Sequence, residues 1–229
     1  MELLAELAAW FTDRARWAGT SGIPNRVMEH VVLSGLAVAV AIAIAVPVGL
    51  VIGHTNRGAL LAVSVANIGR AVPSLALFMV LVLVLGSGSG SACVVLVGFG
   101  IPPILTNTYA GMRAVDRDVV EAGRGMGMTA ATLLGRVEVP LAIPVIVAGI
   151  RTAAVQVVAT ATLAALVGGG GLRRYIVDGF AVQDEARLLG GAVLVALLAL
   201  ATERALTLLE RRLTAPGLRV ATAQGVSGG

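Results

Sequence analysis

The sequence predicts an all-α integral membrane protein, a polytopic bundle of about five transmembrane helices behind an interfacial N-terminal segment. Three observations carry that reading. The 229 residues are 57% hydrophobic and only 13% charged, against about 45–50% and about 25% in soluble domains. Mean hydropathy is +0.92. The apolar residues are also gathered into five stretches, each matching the roughly 20 residues a helix needs to cross hydrocarbon.

Residues 1–29 mix Trp10, Phe11 and Trp17 with charges, the pattern of a segment lying at a membrane interface. Glu2, Glu6 and Asp13 interrupt the start, so a cleavable signal peptide is not expected. Residues 31–53 carry no charge and make the first span. Residues 59–86 carry only Arg70. Too few uncharged residues follow Arg70 to cross alone, so part of 59–69 must contribute. Residues 91–112 are uncharged, 141–167 carry only Arg151, and 188–209 carry Glu203 and Arg204 near the end. The membrane domain is thus 30–210, with 211–229 read as a disordered cytoplasmic tail. Ala, Gly and Val crowd these helices, and small residues let backbones approach closely in lipid.

Five spans put the termini on opposite sides. Arginines after spans one, three and five number eight, against six on the other side. The positive-inside rule therefore places residues 113–139 and the C-terminus in the cytoplasm.

Composition also excludes chemistry. All seventeen basic residues are arginine. Without lysine there is no Walker A loop and no lysine Schiff base. Cys93 is alone, so no intrachain disulfide and no cysteine metal cluster can form. His30 and His54 stand at opposite ends of one apolar segment and cannot pair on a metal. The net charge of +4 follows from arginines flanking membrane segments, so the partner implied is the lipid bilayer and not nucleic acid. No enzyme activity and no cofactor is expected, and any nucleotide energy must arrive through another chain.

The stretch 116–140 is too polar to span. Asp118 and Glu121 have the spacing of an N-cap and its reciprocal acid. A helix over about 119–126 follows, punctuated by Gly125 and Gly127. Thr129 caps a second helix over about 130–137, whose apolar side holds Leu133, Leu134 and Val137, and Pro140 opens the next span. The product is a compact helix–turn–helix on the membrane face.

Polar groups inside spans are costly and face the bundle interior or water. Pro73 bends the second span and frees backbone groups that Ser74 or water can satisfy. Arg70 and Arg151 either line a pathway or snorkel to the headgroups. Arg151 lies about 15 Å into its span at about 1.5 Å per residue, which makes snorkelling harder for it. Asn107 and Tyr109 close the third span. Gln156 and Thr160 share a face of the fourth, either wetting a conduit or bonding between helices. Arg70, Pro73, Ser74, Asn107, Tyr109, Arg151 and Gln156 are therefore the candidate pathway residues. Only Phe78, Phe99 and Tyr109 are aromatic within the spans, so no cage for a quaternary ammonium is evident.

The 116–140 loop resembles the EAA motif of binding-protein-dependent ABC importer permeases. That pattern is Glu-Ala-Ala, three residues, Gly, nine residues, an aliphatic residue, one residue, Leu-Pro. Here Glu121, Ala122 and Gly123 take the first three places, Gly127 the glycine, Val137 the aliphatic, and Val139 with Pro140 the end. Gly123 and Val139 are mild departures, and the spacing is met throughout. The flanks starting at Arg70-Ala-Val-Pro-Ser, Pro103-Ile-Leu-Thr-Asn-Thr-Tyr, Arg124-Gly-Met-Gly-Met-Thr and Ala148-Gly-Ile-Arg-Thr resemble the branch importing glycine betaine, choline and carnitine. Methionine and other amino-acid permeases resemble them less closely and form the alternative. A Gly-rich run from Gly168 is shared, but Arg173 stands where a glycine is commonly seen.

The resemblance implies a type I importer permease fold over about 30–210, in a bacterial plasma or inner membrane. It implies a second permease subunit (identical or different), a cytoplasmic ABC ATPase dimer and an extracytoplasmic solute-binding protein. Glu121, Ala122, Gly123, Gly127, Thr129, Val137 and Pro140 would form the ATPase-coupling loop. Small Ala122 and Gly123 would permit close docking there. Glu121 would either bond the helix start or reach a basic group on the ATPase.

Overall fold

The protein is described by a computed structural model at residues 2–58, 60, 64, 74–163 and 170–213. Among the described residues there are helices and no strands. We number them α1 (Glu2–Thr12), α2 (Ile23–Thr55), α3 (Ser74–Leu85), α4 (Ser89–Arg113), α5 (Arg117–Gly125), α6 (Ala130–Thr160), α7 (Arg173–Ala181) and α8 (Glu185–Leu213), with a 3-10 turn at Arg14–Trp17. Four of them, α2, α4, α6 and α8, are long and apolar enough to cross a membrane. Of the expected second span, the described part is chiefly α3; Arg70 and Pro73 lie outside the described residues, as do 214–229 of the tail.

The helices exceed the uncharged stretches that predict them. α2 begins eight residues before residue 31, with Pro24 in its first turn, where a missing N–H costs nothing. Charged flanks such as Arg26 and Glu29 continue the same helix. α6 ends at Thr160, short of the expected boundary at 167. Its start differs more. The second loop helix and the fourth span are one rod, not two elements. A π-turn at Leu134–Glu138 joins them. Pro140 has no N–H for the carbonyl one turn back, and the ladder widens just ahead of it, where Val139 N–H bonds the Leu134 carbonyl.

The core is the contact of α2, α4 and α6. Ala37, Ala41, Ala45, Gly49 and Gly53 recur every four residues and are all buried, so they form one stripe along α2. That stripe faces α4. A Cβ on Gly49 would lie 2.7 Å from the Thr108 Cβ, and one on Gly53 would strike the Met112 side chain. On α6, a Cβ on Gly149 would stand 2.5 Å from the Asn107 Cβ. Lipid offers no hydrophobic drive between helices, so such close van der Waals approach is what holds them.

At one end of the bundle, α1 docks through Trp10, which is buried and set edge-on to Phe11 and Tyr175 with centroids 5.0 and 5.3 Å away. Tyr175 Oη donates to the Ser21 carbonyl at 2.7 Å. The N-terminal segment is therefore anchored to α7 and α8, while Trp17 stays exposed. The opposite end carries the loop around α5.

Gly49→Ile should lower the melting midpoint of the detergent-solubilised protein by the equivalent of about 1–3 kcal/mol of overpacking. Gly35→Ala, where a Cβ meets open space, should leave it unchanged or raise it. Equal midpoints for the two variants would contradict the packing described.

Candidate functional site

The loop between α4 and α6 is built by local chemistry. Asp116 caps α5, its side chain accepting the Asp118 N–H at 2.9 Å. The cap is thus Asp116, two residues earlier than the spacing of Asp118 and Glu121 predicts. α4 ends at Arg113, and the chain has only three residues in which to turn, which brings the extended residue forward to 116. At the other end of α5, Met128 N–H bonds the Gly123 carbonyl at 3.1 Å and Gly127 N–H the Arg124 carbonyl at 2.9 Å. This is the paired closure of a Schellman motif. It requires a left-handed residue, and Gly127 supplies one at φ +81. Thr129 then accepts from Thr132 N–H at 3.3 Å and starts α6.

The hairpin so formed has two faces. Gly123 is buried, and a Cβ there would come 2.7 Å from Leu133 Cδ1. Gly123 therefore seats α5 on α6 and does not belong to the outward surface on which the sequence reading placed it. Glu121 and Ala122 are exposed. Met126, 73% exposed at the tip, and Val119 join them. An apolar, protruding edge of this kind suits a docking contact. Val137 is half-buried and Pro140 exposed on the first turns of α6.

One side-chain hydrogen bond roots the hairpin. His54 Nδ1 lies 2.5 Å from Glu138 Oε2, with side chains only 18% and 9% exposed. It joins the last turn of α2 to the π-turn of α6. Beside it is a cavity of about 210 Å³ whose lining includes Arg113, Arg117, Glu121 and Arg124. Sequence reasoning missed this pair, because 84 residues separate the partners, His54 lies outside any motif, and Glu138 falls on an unspecified position of the 121–140 pattern.

The candidate pathway residues are scattered. Ser74 opens α3. Asn107 Nδ2 donates to its own helix at the Pro103 carbonyl, 2.8 Å away, beneath Gly149. Tyr109 and Gln156 are half-buried, and the Gln156 carbonyl accepts from Thr160 Oγ1 at 2.7 Å. Arg151 reaches α8, with Nη1 3.0 Å from Glu210 Oε2 and 3.2 Å from Thr207 Oγ1, and Nε 3.8 Å from Glu203 Oε1. Among the described residues no hydrogen bond joins Asn107, Tyr109, Arg151 and Gln156 to one another.

A family model described as "Binding-protein-dependent transport system inner membrane component" matches residues 45–215. The choline transport system permease protein OpuBB of Bacillus subtilis is 40% identical over 194 residues, covering 85% of this chain and 89% of that one. The carnitine transport permease protein OpuCB of Listeria monocytogenes is 42% identical, covering 86% and 90%. Among solved structures, an inward-facing conformation of the MetNI methionine ABC transporter superposes with a TM-score of 0.72 at 21% identity, covering 82% of this chain and 94% of that one. That likeness speaks to the fold alone.

Glu138→Ala should destabilise the protein by about 1–3 kcal/mol, since it leaves His54 half-buried without its carboxylate. Glu121→Ala, on the exposed face, should change stability by less than about 0.5 kcal/mol. Chemical or thermal melts in detergent decide between them, and the reverse order would refute the rooting role of the pair.

Proposed function

The chain belongs to the binding-protein-dependent transport system inner membrane components, and from that premise we propose that it forms the translocation pathway of an ATP-driven importer for a quaternary-amine osmoprotectant such as glycine betaine, choline or carnitine. It is a membrane-embedded transport subunit of an ABC importer, not an enzyme. The observation carrying the solute class is identity of about 40% over most of the chain to permeases named for choline and carnitine. The methionine transporter, at 21%, lends no weight to the alternative solute.

The mechanism we propose is alternating access. Two permease subunits, of the same or different sequence, pair in the membrane. Two ATPase subunits bind on the cytoplasmic side, and a solute-binding protein delivers from outside. Closure of the ATPases on ATP displaces the hairpin through its exposed face at Glu121, Ala122 and Met126. α5 is clamped to α6 at Gly123 and Leu133, and α6 continues unbroken into the membrane, so the displacement becomes a tilt of the span. The His54–Glu138 contact passes it to α2, and the Arg151 cluster passes it to α8. Thr129, Val137 and Pro140 serve by shaping the joint. Arg70, Pro73, Ser74, Asn107, Tyr109 and Gln156 are proposed to border the solute's path. The membrane domain at 30–210 and the tail at 211–229 follow the same assignment.

Uptake of labelled glycine betaine, measured with the importer's own ATPase and binding protein, should be suppressed by excess glycine betaine or carnitine. Excess methionine should leave it intact, and suppression by methionine alone would overturn the solute class. Gly127→Arg puts a side chain at the left-handed closure of α5, so it strains that turn besides adding bulk where nothing lies within 4 Å. It should reach the membrane normally yet lose uptake and solute-stimulated ATPase activity about 5–150-fold, the usual span of coupling energies. Normal uptake by that variant would remove the hairpin from the coupling role.

A further inference from the structure

A polar cavity of about 400 Å³ lies at the end of the bundle opposite the hairpin, and the transport mechanism makes no use of it. Several segments meet around it. Asp13 and Arg16 come from the turn after α1, Arg26 from α2, Arg174 and Asp178 from α7, and Arg187 from the first turn of α8. Its charges do not cancel. Arg16 lies 3.5 Å from Asp13, Arg26 2.8 Å from Glu29, and Arg187 2.8 Å from Asp178. Arg174 is exposed, and among the described residues it has no hydrogen bond or ion pair. One guanidinium is therefore left over on the cavity wall with its donors unused. The paired arginines add their field at the same place. Burial pushes the Tyr175 hydroxyl up, while Arg26, Arg187 and Arg16 pull it back down.

The depth of the cavity in the membrane narrows what can fill it. Arg187 stands directly before the apolar stretch that starts at 188. Arg26 lies about 7.5 Å, at about 1.5 Å per residue, outside the uncharged stretch that starts at 31. Headgroups occupy roughly 5–8 Å beyond the hydrocarbon on each side, so the cavity sits at headgroup level. Large apolar side chains stand exposed beside it. Trp17, next to Arg16, is 50% exposed, and Phe180, just after Asp178, is 76% exposed. Lipid covers such groups and water does not, which favours a lipid over a water-soluble partner.

We propose that this cavity holds the phosphodiester of an anionic phospholipid, in the leaflet opposite the hairpin, with Arg174 as the direct donor. A guanidinium fork matches two phosphate oxygens, and the single charge of a phosphodiester neutralises the single unmatched cation. The uncharged glycerol headgroup of phosphatidylglycerol carries hydroxyls that can donate to the Asp13 and Asp178 carboxylates. The quaternary ammonium of phosphatidylcholine meets arginines there and has no proton to give. A lipid so held ties the N-terminal segment to α7 and α8. The site goes beyond the solute reading and stands whichever solute is carried.

The test uses the complete importer, purified in detergent, stripped of lipid and supplied with phosphatidylglycerol, phosphatidylcholine or inorganic phosphate. Phosphatidylglycerol should raise the melting midpoint more than phosphatidylcholine does, and inorganic phosphate should barely move it. Arg174→Gln should weaken phosphatidylglycerol binding, read by native mass spectrometry, about tenfold or more, as the loss of a charged hydrogen bond requires. Arg174→Lys should keep part of that binding. Arg14→Gln removes a nearby exposed arginine that does not line the cavity, and it should bind lipid like the wild type. Undiminished binding by Arg174→Gln, or an equal loss in Arg14→Gln, would overturn the site. An equal effect of phosphatidylcholine or of inorganic phosphate would overturn the choice of an anionic lipid. If Arg174→Gln keeps its lipid but loses stimulation by the solute-binding protein, the cavity is a docking point for that protein and the proposal fails. None of these outcomes bears on the solute class, which the uptake competition decides separately.

Discussion

The close approach of α2 to α4 is the contact on which the remainder depends. Five small residues from Ala37 to Gly53 recur along half the length of α2, and at Gly49 and Gly53 the Thr108 and Met112 side chains of α4 pack directly on its backbone. In water such a seam would gain from burial. In lipid it gains only from atoms in contact, so the fit at Gly49 and Gly53 cannot be loosened without loss. The seam also aligns both ends of α2. At one end Gly53 against Met112 brings His54 to Glu138. At the other, His30 Nε2 lies 3.0 Å from the Val158 carbonyl, and Glu29 holds the Gly171 backbone. One helix therefore ties the coupling hairpin and the opposite end of the bundle to the same frame.

On that frame the hairpin is stiff where it must transmit and open where it must dock. Its interior is locked by Gly123 on Leu133 and by the Schellman closure at Gly127. Its outer edge of Glu121, Ala122 and Met126 is exposed, where a partner can reach it. The continuity of α6 matters for the same reason. A flexible linker between hairpin and span would dissipate a displacement, whereas a helix carries it. The π-turn keeps the rod whole across Pro140, at the place where the His54 contact enters.

Much of this is legible in the chain. Length and periodicity of the apolar runs reveal the long helices, and the cap at Thr129 and the reversal at Gly127 follow from residue type alone. The errors have physical causes. Residue 118 and residue 116 are both aspartates, and only the end of α4 decides which one caps. Pro140 reads as a boundary because proline removes a donor, but a π-turn absorbs that loss and the helix runs through. Gly123 reads as a docking residue because it is small, and it is small because Leu133 occupies its space. The His54–Glu138 pair and the burial of Trp10 under Tyr175 join segments far apart in sequence, so no local pattern could announce them. Arg151 could be read as a costly intramembrane charge, but its partners on α8 are visible only once the helices are packed.

The central claim is that α5 and α6 move as one body. Spin labels at Asp118→Cys and Thr152→Cys, both exposed and with Cys93 replaced by alanine, test it in the complete importer by pulsed dipolar distance measurement. Between the nucleotide-free and ATP-trapped states the distance from 118 to 152 within one subunit should stay constant. The distance from 118 to a label on the partner permease should change. A shift in the first distance as large as the second would mean that the hairpin bends apart from its span, and the account would be wrong.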